Sequence, residues 1–178
     1  MRDYLREGTR TAHEAVDAVF GRFDLTRREG YTAFLRAHYR GLFGLPLDPA
    51  PFGLKPLGLM ELVAADLRTL GEPLPAPLPA PRFSGEAEAL GAYYVVAGSR
   101  LGSRLLARQW REGADGVLLS AGRYLSDEAS HDAWRDLTAF LRQEGAMRPS
   151  SVLDGALRTF DHFHSAGLAE QGNEAVSA

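Results

Sequence analysis

The 178-residue chain contains no cysteine, which excludes disulfides, thiolate metal ligands and a cysteine nucleophile together. Long apolar runs are missing too. The best, "ALGAYYVVAG" at residues 89–98, falls well short of the roughly 20 residues that a membrane span needs. The N-terminal "MRDYLREGTR" is charged from its second residue and has no apolar leader core, so a cytoplasmic protein is expected. Lysine is almost absent: Lys55 is the only one, and arginine supplies the other basic side chains. No strong charge of either sign is present. The net charge of -3 gives no bulk attraction to nucleic acid or to an anionic membrane.

What is present is helical patterning in a composition of 45% hydrophobic and 24% charged residues, that of an ordinary globular domain. Alternating strand patterns and internal repeats are not seen, so one all-α domain spanning residues 1–178 is expected. The first helix covers about residues 2–22. The second follows from Thr26, where "TRRE" reads as a capping box of Thr26 and Glu29, with Tyr31, Phe34, Leu35, His38 and Leu42 facing inward. Four prolines within residues 44–57 impose a loop. A short helix from Gly58 to Leu70 buries Leu59, Leu62, Val63, Leu67 and Leu70 and leaves Asp66 nearer solvent. "EPLPAPLPAPRF" reads as a stiff extended strap or, alternatively, a docking motif for a proline-binding module. A long helix is expected from Ser84 to Arg111, then one capped by Ser126 or Ser130 that carries Trp134, Leu137, Phe140 and Leu141. The last begins at "RPSSVLD", where Ser151 and Asp154 fit a loose capping pattern, and its tail after Gly167 (residues 168–178) is expected to fray.

Two features call for a reason. "LREGTRTAHEAVDAVF" places His13 on the stripe Leu5, Thr9, Ala12, Val16 and Phe20, where an amphipathic helix should carry an apolar residue. It is a hydrogen-bonded core histidine or a ligand, and His38 competes with it. His131, His162 and His164 suit solvated roles. In "GAYYVVAGSRLGSRLL", Gly98 and Gly102 share one helix face beside Ser99 and Ser103. Each mid-helix glycine costs about 1 kcal/mol against alanine, so the face serves either a close helix crossing or a ligand lying against bare backbone.

Metal motifs fail on spacing. "HEAVD" ends in Asp17 where a zinc-protease helix needs a second histidine. "EASH", Glu128 to His131, is a single Glu-x-x-His, whereas a di-iron bundle needs two. No G-x-S-x-G nucleophile elbow is present. A flat apolar cofactor between two helices would use the histidine, the glycine face and the aromatics together, and neutral imidazole suits an iron porphyrin.

On these residues the chain resembles the heme oxygenases, nearest the bacterial type that accompanies bacteriophytochromes. The likeness is carried by "LREGTRTAHEAVDAVF", by "GAYYVVAGSRLGSRLLAR" and more weakly by "ALRTFDHFHSAG". It implies a multi-helix bundle with heme between the first helix and a kinked distal helix. His13 would be the proximal iron ligand. Gly98 and Gly102 would form the distal kink, with Ser99 backing a distal water network. Arg6 and Arg158 would meet heme propionates, and Phe160 and Phe163 would wall the pocket. The implied reaction opens heme to biliverdin, carbon monoxide and ferrous iron with O2 and electrons from a ferredoxin or reductase, heme being both cofactor and substrate. A bacteriophytochrome would be the biliverdin acceptor. The chain departs from the family pattern at Ala97, where many bacterial relatives have glutamate, and at Ser103, which replaces a glycine. A heme-binding protein without turnover and a helical scaffold with a core histidine are the alternative readings.

Overall fold

In a computed structural model, residues 1–143 and 148–176 are described, and among them the chain is helical, with no strand. The helices are α1 (Arg2–Phe20), α2 (Arg28–Leu42), α3 (Leu59–Thr69), α4 (Glu86–Ser99), α5 (Ser103–Gly113), α6 (Gly116–Ser120), α7 (Ala129–Gln143) and α8 (Pro149–Val176), with a 3₁₀ turn at Pro51–Gly53 between α2 and α3. The all-α expectation holds. Among the described residues no helix is long and apolar enough to cross a membrane.

The bundle is organised around α4 and α8. Every residue from Ala89 to Ala97 is buried, so α4 is apolar all round, the pattern of a central helix. The long α8 packs across α4, α2 and α1, while α3 covers α2 and α7 covers α4. Backbone meets backbone at the α4–α8 crossing. A Cβ on Gly91 would collide with the carbonyl oxygen of Val152, and one on Gly155 with that of Glu88. Gly41 likewise makes room on α2 for the ring of Phe163, a buried side chain whose truncation to alanine should cost about 3 kcal/mol or more.

Several local expectations need correction. The long helix does not run unbroken from Ser84 to Arg111. It ends at Ser99, turns through residues 100–102 and restarts at Ser103. Leu101 N–H donates to Gly98 O and Gly102 N–H to Ser99 O, so the ladder tightens to i→i+3 spacing across the break. The Thr26–Glu29 capping box does not form, because Asp24 Oδ1 accepts from both the backbone N–H and the hydroxyl of Thr26 and α2 starts at Arg28. α7 begins at Ala129, so neither Ser126 nor Ser130 is its N-cap. α8 begins at Pro149, which suits the first turn because it lacks an N–H, and Ser151 therefore lies inside the helix.

The tail does not fray after Gly167. α8 continues to Val176, held by Glu170, whose carboxylate is buried and pairs with Arg36 at 2.9 Å and Arg40 at 2.6 Å on α2. Gln171 Nε2 also donates to Val19 O. His162 is buried, with Nε2 3.0 Å from Arg40 O, and His164 is half-buried; the side chain of His131 lies outside the described residues. Asp66 is the largest surprise. Far from solvent, it is 0% exposed and accepts from the backbone N–H groups of Arg123 and Tyr124 and from the Arg123 guanidinium. Burial nevertheless pushes its carboxyl pKa up. This one side chain ties α3 to the segment between α6 and α7.

Candidate functional site

A cavity of about 760 Å³ opens between α1 on one side and α4, the break and α5 on the other, within the 300–1,000 Å³ range of small-molecule and cofactor sites. α1 contributes Arg6, Thr9, Arg10, His13, Val16, Asp17 and Phe20. Opposite them lie Tyr94, Val95, Gly98, Ser99, Arg100, Gly102, Leu105 and Leu106. Phe34 and His38 of α2, Tyr124, Trp134 of α7, and Phe160 and Phe163 of α8 complete the walls.

His13 does not sit in the core as its stripe suggests. Leu5 and Thr9 are buried and Val16 and Phe20 half-buried, yet the His13 side chain is 58% exposed. The stripe starts in the core at Leu5 and opens onto the cavity by His13. Nδ1 of His13 lies 3.0 Å from Asp17 Oδ2, four residues on along the same helix face. With the carboxylate accepting from Nδ1, the lone pair is left on Nε2, the arrangement that orients an imidazole as a metal ligand. The ring stands edge-on to Phe160 at 5.7 Å between centroids.

Across the cavity, the two candidate glycines differ from those that serve helix packing. At Gly91 and Gly155 an added Cβ meets a neighbouring backbone. At Gly102 it would meet only Ser99 O, 3.7 Å away, and at Gly98 the edge of the Trp134 ring, 3.2 Å away. The close-crossing role therefore belongs to Gly91 and Gly155, and the Gly98–Gly102 face presents bare backbone to the cavity. Ser99 is exposed there, its hydroxyl donating to Val96 O at 2.8 Å while the oxygen's lone pairs stay available. Ala97 and Ser103 are both buried, and Ser103 Oγ donates to Arg100 O.

Of the expected site residues, the structure brings Arg6, His13, Gly98, Ser99, Gly102, Phe160 and Phe163 to one cavity. Arg158 is not among them. Its Nη1 donates to Arg82 O and to Glu88 Oε2, pinning the proline strap and the start of α4 to α8. Ser84 N–H and Arg158 together hold the Glu88 carboxyl below its usual pKa.

At the cavity's inner wall, sequence reasoning placed Phe34 and His38 inward but did not foresee Tyr124. His38 is packed among Phe34 (4.2 Å), Phe20 (4.8 Å) and Tyr124 (4.9 Å), and its Nδ1 donates to Phe34 O at 2.9 Å. Burial, against that hydrogen bond and with Arg100 nearby, lowers its pKa to about 3, so the ring is neutral and Nε2 is an acceptor. Tyr124, fixed by Asp66, lies beneath the Arg100 guanidinium. The i,i+4 spacing of His13 and Asp17 was legible as a helix-neighbour pair; nothing in the sequence announces that Tyr124 returns to this wall.

The sequence matches no known family profile. It is 31% identical over 149 residues to a heme oxygenase of Xanthomonas campestris pv. campestris (strain 8004), a match covering 79% of this chain and 90% of the relative. The fold superposes on the crystal structure of the NO- and CO-bound heme oxygenase from Neisseria meningitidis with a TM-score of 0.74, covering 94% of this chain and 90% of that one at 21% identity. With helix order, the cavity and near-complete coverage of a curated relative in agreement, the chain belongs to the heme oxygenase family.

Proposed function

We propose that the protein opens heme oxidatively to biliverdin, carbon monoxide and ferrous iron, using O2 and electrons from a separate donor protein such as a ferredoxin or reductase. The observation that carries the reading is the pairing of His13, oriented by Asp17, with the bare backbone of Gly98 and Gly102 across one cavity. The residues fit heme: an imidazole whose Nε2 is free for iron, aromatic walls for a flat macrocycle and two glycines, Gly98 and Gly102, on the face opposite. When bound, heme is both substrate and the source of the oxygen-activating redox chemistry.

The protein's share is to bind, orient and leave room. His13 would hold the iron and Asp17 would hold the imidazole. Arg6, exposed on α1 at the cavity's edge, would meet a propionate. Phe160 and Phe163 would wall the proximal side, and Ser99 offers a hydroxyl oxygen to distal water. The cavity's carboxylates, Glu7, Glu14 and Asp17, all belong to α1, and the face opposite, from Gly98 to Ser103, carries none. The bacteriophytochrome-associated subtype, with a bacteriophytochrome taking up the biliverdin, is supported by the "GAYYVVAGSRLGSRLLAR" motif.

Hemin titration tests the reading. Wild type should give a histidine-ligated Soret spectrum that His13→Ala loses and His38→Ala keeps. Reductant and O2 added to the wild-type complex should then produce bilin absorbance. An unchanged His13→Ala spectrum would sink the ligand assignment, and a complex that survives reduction in air without bilin would favour a heme carrier of the same fold.

A further inference from the structure

The inner wall of the cavity holds a charge that the proposed reaction leaves unused. Arg100, on the break after α4, is 1% exposed and lines the cavity. Its guanidinium is permanently cationic. Nη2 donates to Tyr124 O at 2.7 Å, and the guanidinium carbon lies 4.7 Å from the Tyr124 ring centroid. Nε has no partner. None of the ion pairs among the described residues includes Arg100.

A buried cation without a counter-charge is expensive to keep, and one retained only to hold Tyr124 O is poorly matched to that task, since a neutral amide donates the same bond. The Tyr124 ring offsets part of that cost, but no carboxylate pairs with the guanidinium among the described residues. His38 presents a neutral ring whose Nδ1–H is already committed to Phe34 O, and Phe20 and Phe34 supply only apolar surface. The side of Arg100 open to a counter-charge is the cavity. Arg6 and Arg10 stand exposed on α1 among Glu7, Glu14 and Asp17, with Arg10 paired to Glu7, so the inner wall carries a lone cation and the mouth a mixture of charges.

We propose that Arg100 forms a subsite at the inner end of the cavity for a single negatively charged group of carboxylate size, supplied by a free small anion or by a carboxylate arm of the tetrapyrrole. The site stands on the apoprotein alone, whatever reaction the cavity hosts. If an arm of the tetrapyrrole fills it, the macrocycle is oriented in its plane from the inner wall instead of from the mouth.

The probe is sodium formate, added to apoprotein while the thermal midpoint is followed, for wild type and Arg100→Gln, which keeps a donor for Tyr124 O and removes the charge. The wild-type midpoint should rise relative to the variant's by about 3 °C per tenfold of formate above the dissociation constant. Arg100→Lys should retain part of that rise. In a second arm, metal-free protoporphyrin IX and its dimethyl ester are titrated by fluorescence. An arm in the subsite predicts about tenfold weaker protoporphyrin binding to Arg100→Gln, competition by formate and no change for the ester. A free anion predicts the Arg100-dependent formate rise with both porphyrin affinities unchanged. Parallel formate curves for the two proteins together with unchanged porphyrin affinities would overturn the subsite and leave Arg100 a prop for Tyr124. Failure of both proteins to bind either porphyrin would count against the proposed function, with the formate curves still deciding the subsite.

Discussion

At the mouth of the cavity, Arg6, Arg10, His13 and Asp17 are exposed on one helix, with Arg10 paired to Glu7 at 2.9 Å and His13 to Asp17 at 3.0 Å. At the inner wall, a few side chains away, Arg100 and Tyr124 are enclosed and His38 is ringed by aromatics. The same residue types thus carry different weight. Water solvates the mouth in the protein by itself, so its pairs contribute little to folding and are free to serve binding. The inner wall has no such relief, and each polar group there must be satisfied by the fold or by what enters.

The contrast is open to test, from the largest effect to the smallest. Asp66→Ala removes the acceptor of two backbone N–H groups and a guanidinium beneath the inner wall; urea unfolding should show a loss of about 3 kcal/mol, and a loss under 1 kcal/mol would mean that the wall is held some other way. His38 gives a pH signature. Its folded pKa of about 3 lies below the unfolded value, so its contribution is complete above pH 6.5 and is lost as pH falls toward 3, because the unfolded chain takes up the proton first. His38→Leu should remove as much as about 1.4 kcal/mol per pH unit from the steepest part of the acid-side slope, and ring-proton shifts of His38 in NMR should stay flat from pH 8 to 5. At the mouth, Asp17→Asn should leave stability unchanged and weaken hemin binding about tenfold by loosening the imidazole. Arg6→Ala should cost only a few-fold in hemin affinity, and the difference should shrink as salt is raised.

The fold was legible where periodicity is clean. α1, α2 and α3 lie within a few residues of their expected positions because each carries one apolar stripe. The broken helix was half legible: the glycines marked the place, but bare composition could not say that Gly91 and Gly155 serve the crossing while Gly98, beside Trp134, and Gly102 line the cavity. Asp66 misled because a carboxylate on a short amphipathic helix belongs in water unless backbone donors from a distant segment reach it, and those donors lie 57 and 58 residues away. The tail misled for the same reason, since Glu170 finds its arginines on α2. Local signals place the candidate ligand on α1; only tertiary contacts build the wall behind it. Arg158 fell to the same cause, drawn to Glu88 and away from the cavity.

The way α1 is mounted has a consequence for motion. Its chief support is α8, and at its C-terminal end it is pinned by Gln171 to Val19 O and by Phe20 against His38. α4, by contrast, is enclosed along Ala89–Ala97. A fluctuation of the middle of α1, where Arg10 to Ala18 are exposed or half-buried, therefore breaks few buried contacts, whereas displacing α4 would open the whole core. Amide protons of α1 near His13 should exchange through such partial openings at lower free energy than those of α4. Motion at the cavity is thus expected first in the helix that carries the histidine, before the enclosed α4 opposite.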